Sequence, residues 1–228
     1  MIQANGYRDR TAAGQALIPL LEKTCDRESA IVLALPRGGV PVGREIAQAL
    51  RVPLDIFVVR KIGIPEQPET AMGAIASGGI QLLDDALIAD ASIPAEAVEK
   101  QIQSERGELA RREARYRGGR PAPELAQRSV ILVDDGVATG YTMRVAILAL
   151  RQLSPRRLTV AIPVGAPDTC TLLEGLVDEL ICPLRPEPFH AVGLWYDHFP
   201  PVTDEAVSEG MTAVADALEK SATALPRL

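Results

Sequence analysis

The fold is decided by the stretch VILVDDGVATGYT, which runs from Val130 to Thr142. Its first four residues are apolar and predict a buried strand. Two adjacent carboxylates, Asp134 and Asp135 (the acid pair), follow where that strand should end. A short loop at 136–142 then leads into a segment over 145–153 whose apolar spacing predicts a helix. This order of strand, acids, loop and helix is suited to a sugar phosphate.

Each part of this segment could bind one part of a sugar phosphate. Loop N–H groups and a helix N-terminus can hold a phosphate, because both present partial positive charge. Carboxylates can accept hydrogen bonds from sugar hydroxyls and attract a divalent cation. The alternative is an ordinary strand-to-helix turn with a capping aspartate, but a cap needs one acid rather than two. A Walker-type phosphate loop is excluded, because Gly-x-x-x-x-Gly-Lys-Ser/Thr does not occur.

The run resembles the phosphoribosyl-pyrophosphate (PRPP) site of type I phosphoribosyltransferases. That family pattern has four apolar residues, two acids, two variable positions and then small-Thr-Gly-x-Thr/Ser. The positions that match it are Asp134, Asp135, Thr139, Gly140 and Thr142. The resemblance implies that the acid pair holds the ribose hydroxyls and contacts Mg²⁺ indirectly, through PRPP or water. It also implies a 5-phosphate site made by Val137, Ala138, Thr139, Gly140, Tyr141 and Thr142.

Two basic segments supply a second phosphate site under this interpretation. Arg37-Gly38-Gly39 (the glycine loop) follows an apolar run over 30–35, and its glycines let the backbone approach a ligand closely. Arg60-Lys61 follows a second apolar run over 54–59, interpreted as one strand. The resemblance makes both segments pyrophosphate-binding, with Arg37 and Lys61 as catalytic cations and a non-proline cis peptide near residue 37. A tight turn and a solvent-facing pair are the respective alternatives.

The identity of residue 138, an alanine, limits which compound could accept the phosphoribosyl group. The 6-oxopurine enzymes of the family usually carry an aspartate at this position, whereas adenine and uracil enzymes often have Ala-Thr-Gly. The resemblance therefore implies a nitrogenous acceptor, first of all a nucleobase other than hypoxanthine, guanine or xanthine, in nucleotide salvage. The stretch 62–79 lies where the family has a mobile closing loop, and Glu69 could approach the nucleophile there or be a plain turn residue. Ser77-Gly78-Gly79 predicts a hairpin turn between 72–76 and 80–83.

Four aromatic residues cluster near the C-terminus of a chain that has only 4% aromatic residues. Aromatic faces stack on flat bases, so base binding is one interpretation of the cluster, and packing of the last helix onto the sheet is the other. His190 and His198 flank the cluster without a metal-site pattern and are interpreted as polar surface residues. The candidate base-binding residues are Phe189, Trp195 and Tyr196, beside Phe199.

The resemblance extends over most of the chain. From Tyr7 to about residue 207 the sequence is similar to a subgroup of uncharacterised bacterial phosphoribosyltransferase-domain proteins. The shared features are Arg-Gly-Gly-Val-Pro-Val from 37, Arg60-Lys61 with Glu-x-Ala-x-Gly-Ala from 69, Asp-Asp-Gly-x-Ala-Thr-Gly from 134, and Val192-Gly193 with Tyr196 and Phe199. These features do not identify a base.

Alternating strands and helices predict an α/β fold with three layers, a mainly parallel twisted sheet flanked by helices. We expect one domain over 1–228, with a core at about 28–182. A small hood comes from 1–27 and 183–220, and a flexible loop or hairpin with a helical insert covers 62–120. The insert's helix, over 95–116, has Ser92 as its expected cap and charged faces expected to be solvated. A loose tail is expected after Ser221.

Charge and cysteine content bound the function class. The net charge of −6 argues against a nucleic-acid surface. Three cysteines without metal-ligand spacing, and no leader or membrane-length apolar run, predict a cytoplasmic protein with reduced thiols and no membrane contact. The resemblance implies Mg²⁺ as cofactor, PRPP and a small nitrogenous acceptor as partners, and a homodimer. The alternatives are a PRPP- or nucleotide-binding regulator without transferase activity, a phosphoribosyl hydrolase, and a transferase with a non-nucleobase acceptor.

Overall fold

The computed structural model describes residues 6–65 and 67–223. Strands and helices alternate along most of the chain, as expected. In chain order the elements are α1 (Arg10–Leu21), β1 (Ala30–Ala34), α2 (Gly39–Leu50), β2 (Leu54–Ile56), β3 (Val59–Ile64), β4 (Gln67–Ala76), β5 (Ile80–Leu83), α3 (Asp85–Asp90), α4 (Ala95–Arg117), β6 (Ser129–Val133), α5 (Tyr141–Gln152), β7 (Arg157–Ala161), α6 (Pro167–Glu174), β8 (Glu179–Ile181) and α7 (Asp204–Thr223).

A five-stranded parallel sheet in the order β2-β1-β6-β7-β8 forms the centre of the molecule. β1 and β6 are buried along their whole length, which fits their unbroken apolar sequences. One apolar cluster packs α1, α2, α4 and α7 on one face of the sheet, and another packs α5 and α6 on the other. The expected three-layer α/β architecture is therefore confirmed.

The register of the two central strands positions the site. β1 and β6 pair residue for residue, and Ala34 lies opposite Val133. Both strands thus end at the same edge of the sheet, and the segments that follow them leave side by side. Ligands of open parallel sheets bind at this carboxyl edge.

A second, antiparallel sheet of β3, β4 and β5 lies beside the first. Its turn at Ser77–Gly79 is the predicted one, and both glycines of this turn have positive φ. The single strand predicted over 54–59 is wrong, because β2 ends at Ile56 and the chain crosses to the small sheet. Phe57 and Val58 in the crossing are fully buried, so the apolar run carried no sign of the break.

Three predicted features differ from the structure, and the crossing accounts for the first two. Arg60 and Lys61 lie inside β3, not at the carboxyl end of a central strand. The stretch 62–79, expected as a mobile loop, consists mainly of β3 and β4 paired with each other. Ser92 does not cap α4: it adopts φ 50°, and Pro94 occupies the cap position.

The two ends of the described chain meet beside the central sheet. Tyr7 forms an isolated parallel bridge with Tyr196, and Tyr7, Ala13, Val164 and Tyr196 share a small apolar cluster. The division into core, hood and insert stays a prediction. The expected tail lies mostly outside the described residues, since α7 runs to Thr223. No helix in the described ranges has the length and apolar character needed to cross a membrane.

Candidate active site

The acid pair and the glycine loop lie against each other at the carboxyl edge. A Cβ atom on Gly38 would fall 2.1 Å from Asp135 Oδ2, and one on Gly39 would fall 2.6 Å from the Val133 carbonyl oxygen. A side chain at either position would collide with the segment 133–135, so the acid pair could keep its position only beside glycine. The Pro36–Arg37 peptide is cis, as expected. Two segments that are far apart in the sequence therefore form one site.

The acid pair is strongly perturbed by its surroundings. Asp134 Oδ1 accepts a hydrogen bond from the Asp135 N–H at 2.8 Å. Burial raises the pKa of Asp134 well above its ordinary value, and the adjacent charge of Asp135 raises it further. Burial also raises the pKa of Asp135, and the neighbouring Arg10 guanidinium opposes that rise. Two carboxylates with raised pKa values at a strand end are typical of a functional site.

Two side chains from near the ends of the described chain reach the acid pair. Arg10 Nε donates to Asp135 Oδ2 at 2.7 Å, and the Tyr196 hydroxyl donates to the Asp135 carbonyl oxygen at 2.5 Å. Arg10 was not among the predicted site residues. Its partner is 125 residues away, and no local pattern around Arg10 carries that information.

The loop at 136–142, called here the phosphate loop, is pinned to the protein on one side. The Val137 N–H donates to the Val164 carbonyl at 3.0 Å, and Thr169 Oγ1 donates to the Ala138 carbonyl at 2.6 Å. The loop lines a cavity of about 150 Å³ together with Asp134 and Met143. Thr139 and Thr142 are accessible to solvent, as a ligand would require.

The start of α5 adds donors to this cavity. Gly140 precedes the helix with φ 73°, a left-handed conformation that favours glycine. A Cβ atom there would also fall 2.5 Å from Thr169 Cγ2. The first N–H groups of α5 have no partner within the helix and carry the positive end of its dipole. The phosphate loop and the helix start can therefore bind an anion together.

Lys61 and Arg60, both expected to bind pyrophosphate, lie on opposite faces of β3. Lys61 Nζ lies 4.8 Å from the centre of the Tyr141 ring, so β3 brings this cation to the phosphate loop. The Tyr141 hydroxyl donates to the Gly73 carbonyl at 3.2 Å and ties α5 to β4. Arg60 lies on the other face of the strand, where its Nε bonds to Glu105 Oε2 at 2.8 Å.

Arg37 is half exposed and close to the start of α7. Its Nη1 lies 3.7 Å from Asp204 Oδ1, and Asp204 is bound more closely by Arg115 at 2.8 Å and by the Tyr116 hydroxyl at 2.7 Å. These partners lower the pKa of Asp204, led by the hydrogen bond from Tyr116. The loose contact leaves Arg37 able to turn toward a ligand at the glycine loop.

The aromatic cluster packs chiefly against itself. The rings of Phe189 and Trp195 stack with centroids 6.4 Å apart, and the Tyr196 ring lies 4.8 Å from Phe199 and 5.8 Å from Tyr7. Tyr196 is buried, which gives it a packing position beside its bond to Asp135. Base binding by Phe189, Trp195 and Tyr196 stays a prediction. His190, His198 and Glu69 are exposed.

Comparisons with known proteins assign this arrangement to a family. The family model described as "Phosphoribosyl transferase domain" matches residues 9–182. Two Mycobacterium tuberculosis proteins, each named "Putative phosphoribosyl transferase" (Rv0571c and MT0597), are 38% identical over 201 residues. The match covers 88% of this chain and 45% of each of theirs, so the chain spans about half the length of these relatives.

A solved structure is also similar to this chain over most of its length. TT1426 from Thermus thermophilus is 38% identical and superimposes with a TM-score of 0.79, covering 91% of this chain and 98% of that one. The family match includes the glycine loop, the acid pair and the phosphate loop. The chain belongs to the phosphoribosyltransferase family.

Proposed function

We propose that this domain transfers a 5-phosphoribosyl group from PRPP to a nitrogen atom of a small acceptor and releases pyrophosphate. The observation that carries the proposal is the contact between the acid pair and the glycine loop. Gly38 lies so close to Asp135 that ribose hydroxyls bound by the acids would place C1 of the sugar beside that loop.

Each part of PRPP has candidate binding groups. The 5-phosphate is assigned to the N–H groups of Ala138–Thr142 and to the hydroxyls of Thr139 and Thr142. Val137, expected in this set, is left out because its N–H donates to the Val164 carbonyl. The leaving pyrophosphate is assigned to the glycine loop with Arg37 and Lys61. The role proposed for Arg60 falls away, since its guanidinium is bound to Glu105.

The reaction breaks the bond from C1 to the pyrophosphate oxygen and forms a bond from C1 to the acceptor nitrogen. Positive charge develops on the sugar ring, as in other glycosyl transfers. The acid pair places negative charge next to that ring, and the cations stabilise the departing anion. Orientation and charge account for most of the rate, because no side chain in the described part of the chain stands out as a general base.

The acid pair fits Mg²⁺ that arrives with the substrate. Within the described residues, no group of three or more His, Cys, Asp or Glu side chains could hold a metal ion. Mg²⁺ keeps several waters and commonly combines one or two carboxylates with substrate phosphates. Asp134 and Asp135 would contribute to such a shell, and the ion would neutralise pyrophosphate charge.

The acceptor is proposed to be a nucleobase other than a 6-oxopurine. At position 138 the side chain is a methyl group, so this position supplies no carboxylate to a purine. Adenine and uracil are the first compounds to test. A homodimer stays a prediction.

The test is pyrophosphate release from PRPP and Mg²⁺ with a panel of bases, together with calorimetric titration of PRPP. We expect turnover with one non-oxopurine base, and loss of PRPP binding in Asp134→Asn/Asp135→Asn. Asp90→Asn, which changes an exposed carboxylate of α3, is the matched control. Unchanged affinity in the double variant would contradict the site. Binding without turnover would favour a regulator, and release without any base would favour a hydrolase.

A further inference from the structure

Three contacts hold the Arg10 side chain beside the acid pair. Its Nε donates to Asp135 Oδ2 at 2.7 Å, and its Nη1 donates to the Pro200 carbonyl at 2.7 Å. The guanidinium carbon lies 3.7 Å from the centre of the Phe199 ring, within cation–π distance. Two nitrogens and one face of a rigid plane are thus engaged, which fixes the orientation of the guanidinium.

The bond to Asp135 joins one arginine nitrogen to one carboxylate oxygen. Nε donates to Oδ2, while Nη1 donates to the Pro200 carbonyl on the other side of the guanidinium. The arrangement orients Asp135 without engaging both of its oxygens.

Asp135 is confined on its other sides as well. Gly38 lies against the carboxylate, since a Cβ atom there would fall 2.1 Å from Oδ2 and 3.0 Å from Oδ1. The Tyr196 hydroxyl holds the carbonyl of the same residue at 2.5 Å. Arg10 and Tyr196 therefore bind both the side chain and the backbone of Asp135.

We propose that Arg10 is a positioning residue for PRPP: it holds the Asp135 carboxylate in the orientation that accepts the ribose hydroxyls, and so couples the hood to sugar binding. The inference rests on the proposed function, because it requires Asp135 to contact the ribose. Arg10 itself touches no substrate atom in this account. Its effect on affinity must therefore pass through Asp135.

A double-mutant cycle on PRPP affinity tests this route. Calorimetric titration with Mg²⁺ is carried out on the unmodified protein, Arg10→Gln, Asp135→Asn and the double variant. We expect Arg10→Gln alone to weaken binding about tenfold, and to weaken it less than about twofold when Asp135 is already asparagine. Thermal unfolding of each variant confirms that it is folded.

Two further variants keep the test decisive. Arg8→Gln removes an arginine two residues away whose pair with Asp9 is exposed, and it should leave PRPP affinity unchanged. Arg10→Lys keeps the charge but cannot make both the Asp135 and the Pro200 bonds in the same geometry. We expect a partial loss of PRPP affinity. If Arg10→Gln does not fold, the same cycle is completed with Arg10→Lys.

The outcomes separate the two proposals. If Asp135→Asn leaves PRPP affinity unchanged, the proposed site is wrong and the role of Arg10 falls with it. If Asp135→Asn weakens binding but the Arg10 substitution adds its full effect, or has none in either background, the positioning role alone is wrong.

Discussion

Two buried arginine–aspartate pairs, Arg10–Asp135 and Arg117–Asp55, have the same chemistry and different surroundings. In each, the arginine Nε donates to a carboxylate oxygen, at 2.7 Å and 2.9 Å respectively. All four side chains are between 8% and 14% exposed. The pairs differ in what completes the environment of the carboxylate, and that difference separates a structural pair from one that can serve a ligand.

Around Arg117 the protein supplies every partner. Its Nη1 bonds to Glu113 Oε1 at 3.0 Å, and that same oxygen accepts from Ser77 Oγ at 2.7 Å. Ser77 Oγ in turn accepts from the Val58 N–H at 2.8 Å. The network joins α4, β2 and the turn of the small sheet. Around Asp135, by contrast, glycine backbone and a second carboxylate border an open edge of the sheet.

The largest effect on stability is expected from Arg117→Met. It leaves the buried Asp55 and the partly buried Glu113 without their cation, which should lower the free energy of unfolding by about 3–5 kcal/mol. PRPP affinity of the folded protein should not change. Denaturant unfolding and calorimetry measure the two quantities. Arg10→Met also leaves a buried carboxylate without its cation and should lower stability, but it should in addition weaken PRPP binding. An equal effect of the two variants on PRPP affinity would break the comparison.

Ser77→Ala should have the next largest effect. The change removes the acceptor of the Val58 N–H and the donor to Glu113, and a buried unpaired polar group costs about 1–3 kcal/mol. Combined with Arg117→Met, the loss should be less than additive, because both substitutions disrupt one network. An additive result, measured by denaturant unfolding, would mean that Ser77 and Arg117 act independently.

Gly38→Ala tests the open side of Asp135. The added methyl group would lie 2.1 Å from Oδ2, so the carboxylate must move. We expect PRPP affinity to fall about tenfold, or about 1.4 kcal/mol. Gly107→Ala is the control, because no atom lies within 4 Å of the added group inside α4. It should leave affinity unchanged and raise stability by about 0.5–1 kcal/mol. Equal affinity for both variants would contradict the site geometry.

The smallest effect is expected at an exposed pair. Hydrogen bonds from Arg111 and Arg112 lower the pKa of Glu108 to about 2. Because the folded-state value is lowered, the stabilisation is present above the ordinary pKa of 4.5 and is lost as the pH falls toward 2. NMR titration of the carboxyl carbon should show a midpoint below 4.5, and added salt should move it back toward that value. Glu108→Gln should not change Tm at moderate salt, since exposed pairs are screened. A clear fall in Tm would remove the contrast with Arg117.

Local sequence signals predicted the parts of the molecule that local chemistry determines. The strand before the acid pair, the glycine loop and the turn at Ser77–Gly79 all depend on a few adjacent residues. The break after Ile56 was missed because burial on both sides of the chain removes any periodicity. Its consequence was the wrong placement of Arg60 and Lys61.

The two buried arginines show the other limit of the sequence. Arg117 and Glu113 lie on a helix whose many charges were expected to be solvated, and only the position of Asp55, 62 residues earlier, reveals that they are buried. Arg10 depends in the same way on where the two ends of the chain meet. Such pairs become visible only when distant segments are brought together.

The pinned phosphate loop has a thermodynamic consequence. Fixing the backbone of one residue costs about 1–2 kcal/mol of conformational entropy. The Val137 and Ala138 bonds to Val164, Ala166 and Thr169 mean that this ordering is complete when the chain folds, not when an anion arrives. Anion binding should therefore show a small entropic penalty, and substitutions in α6 that free the loop should weaken affinity without touching the ligand.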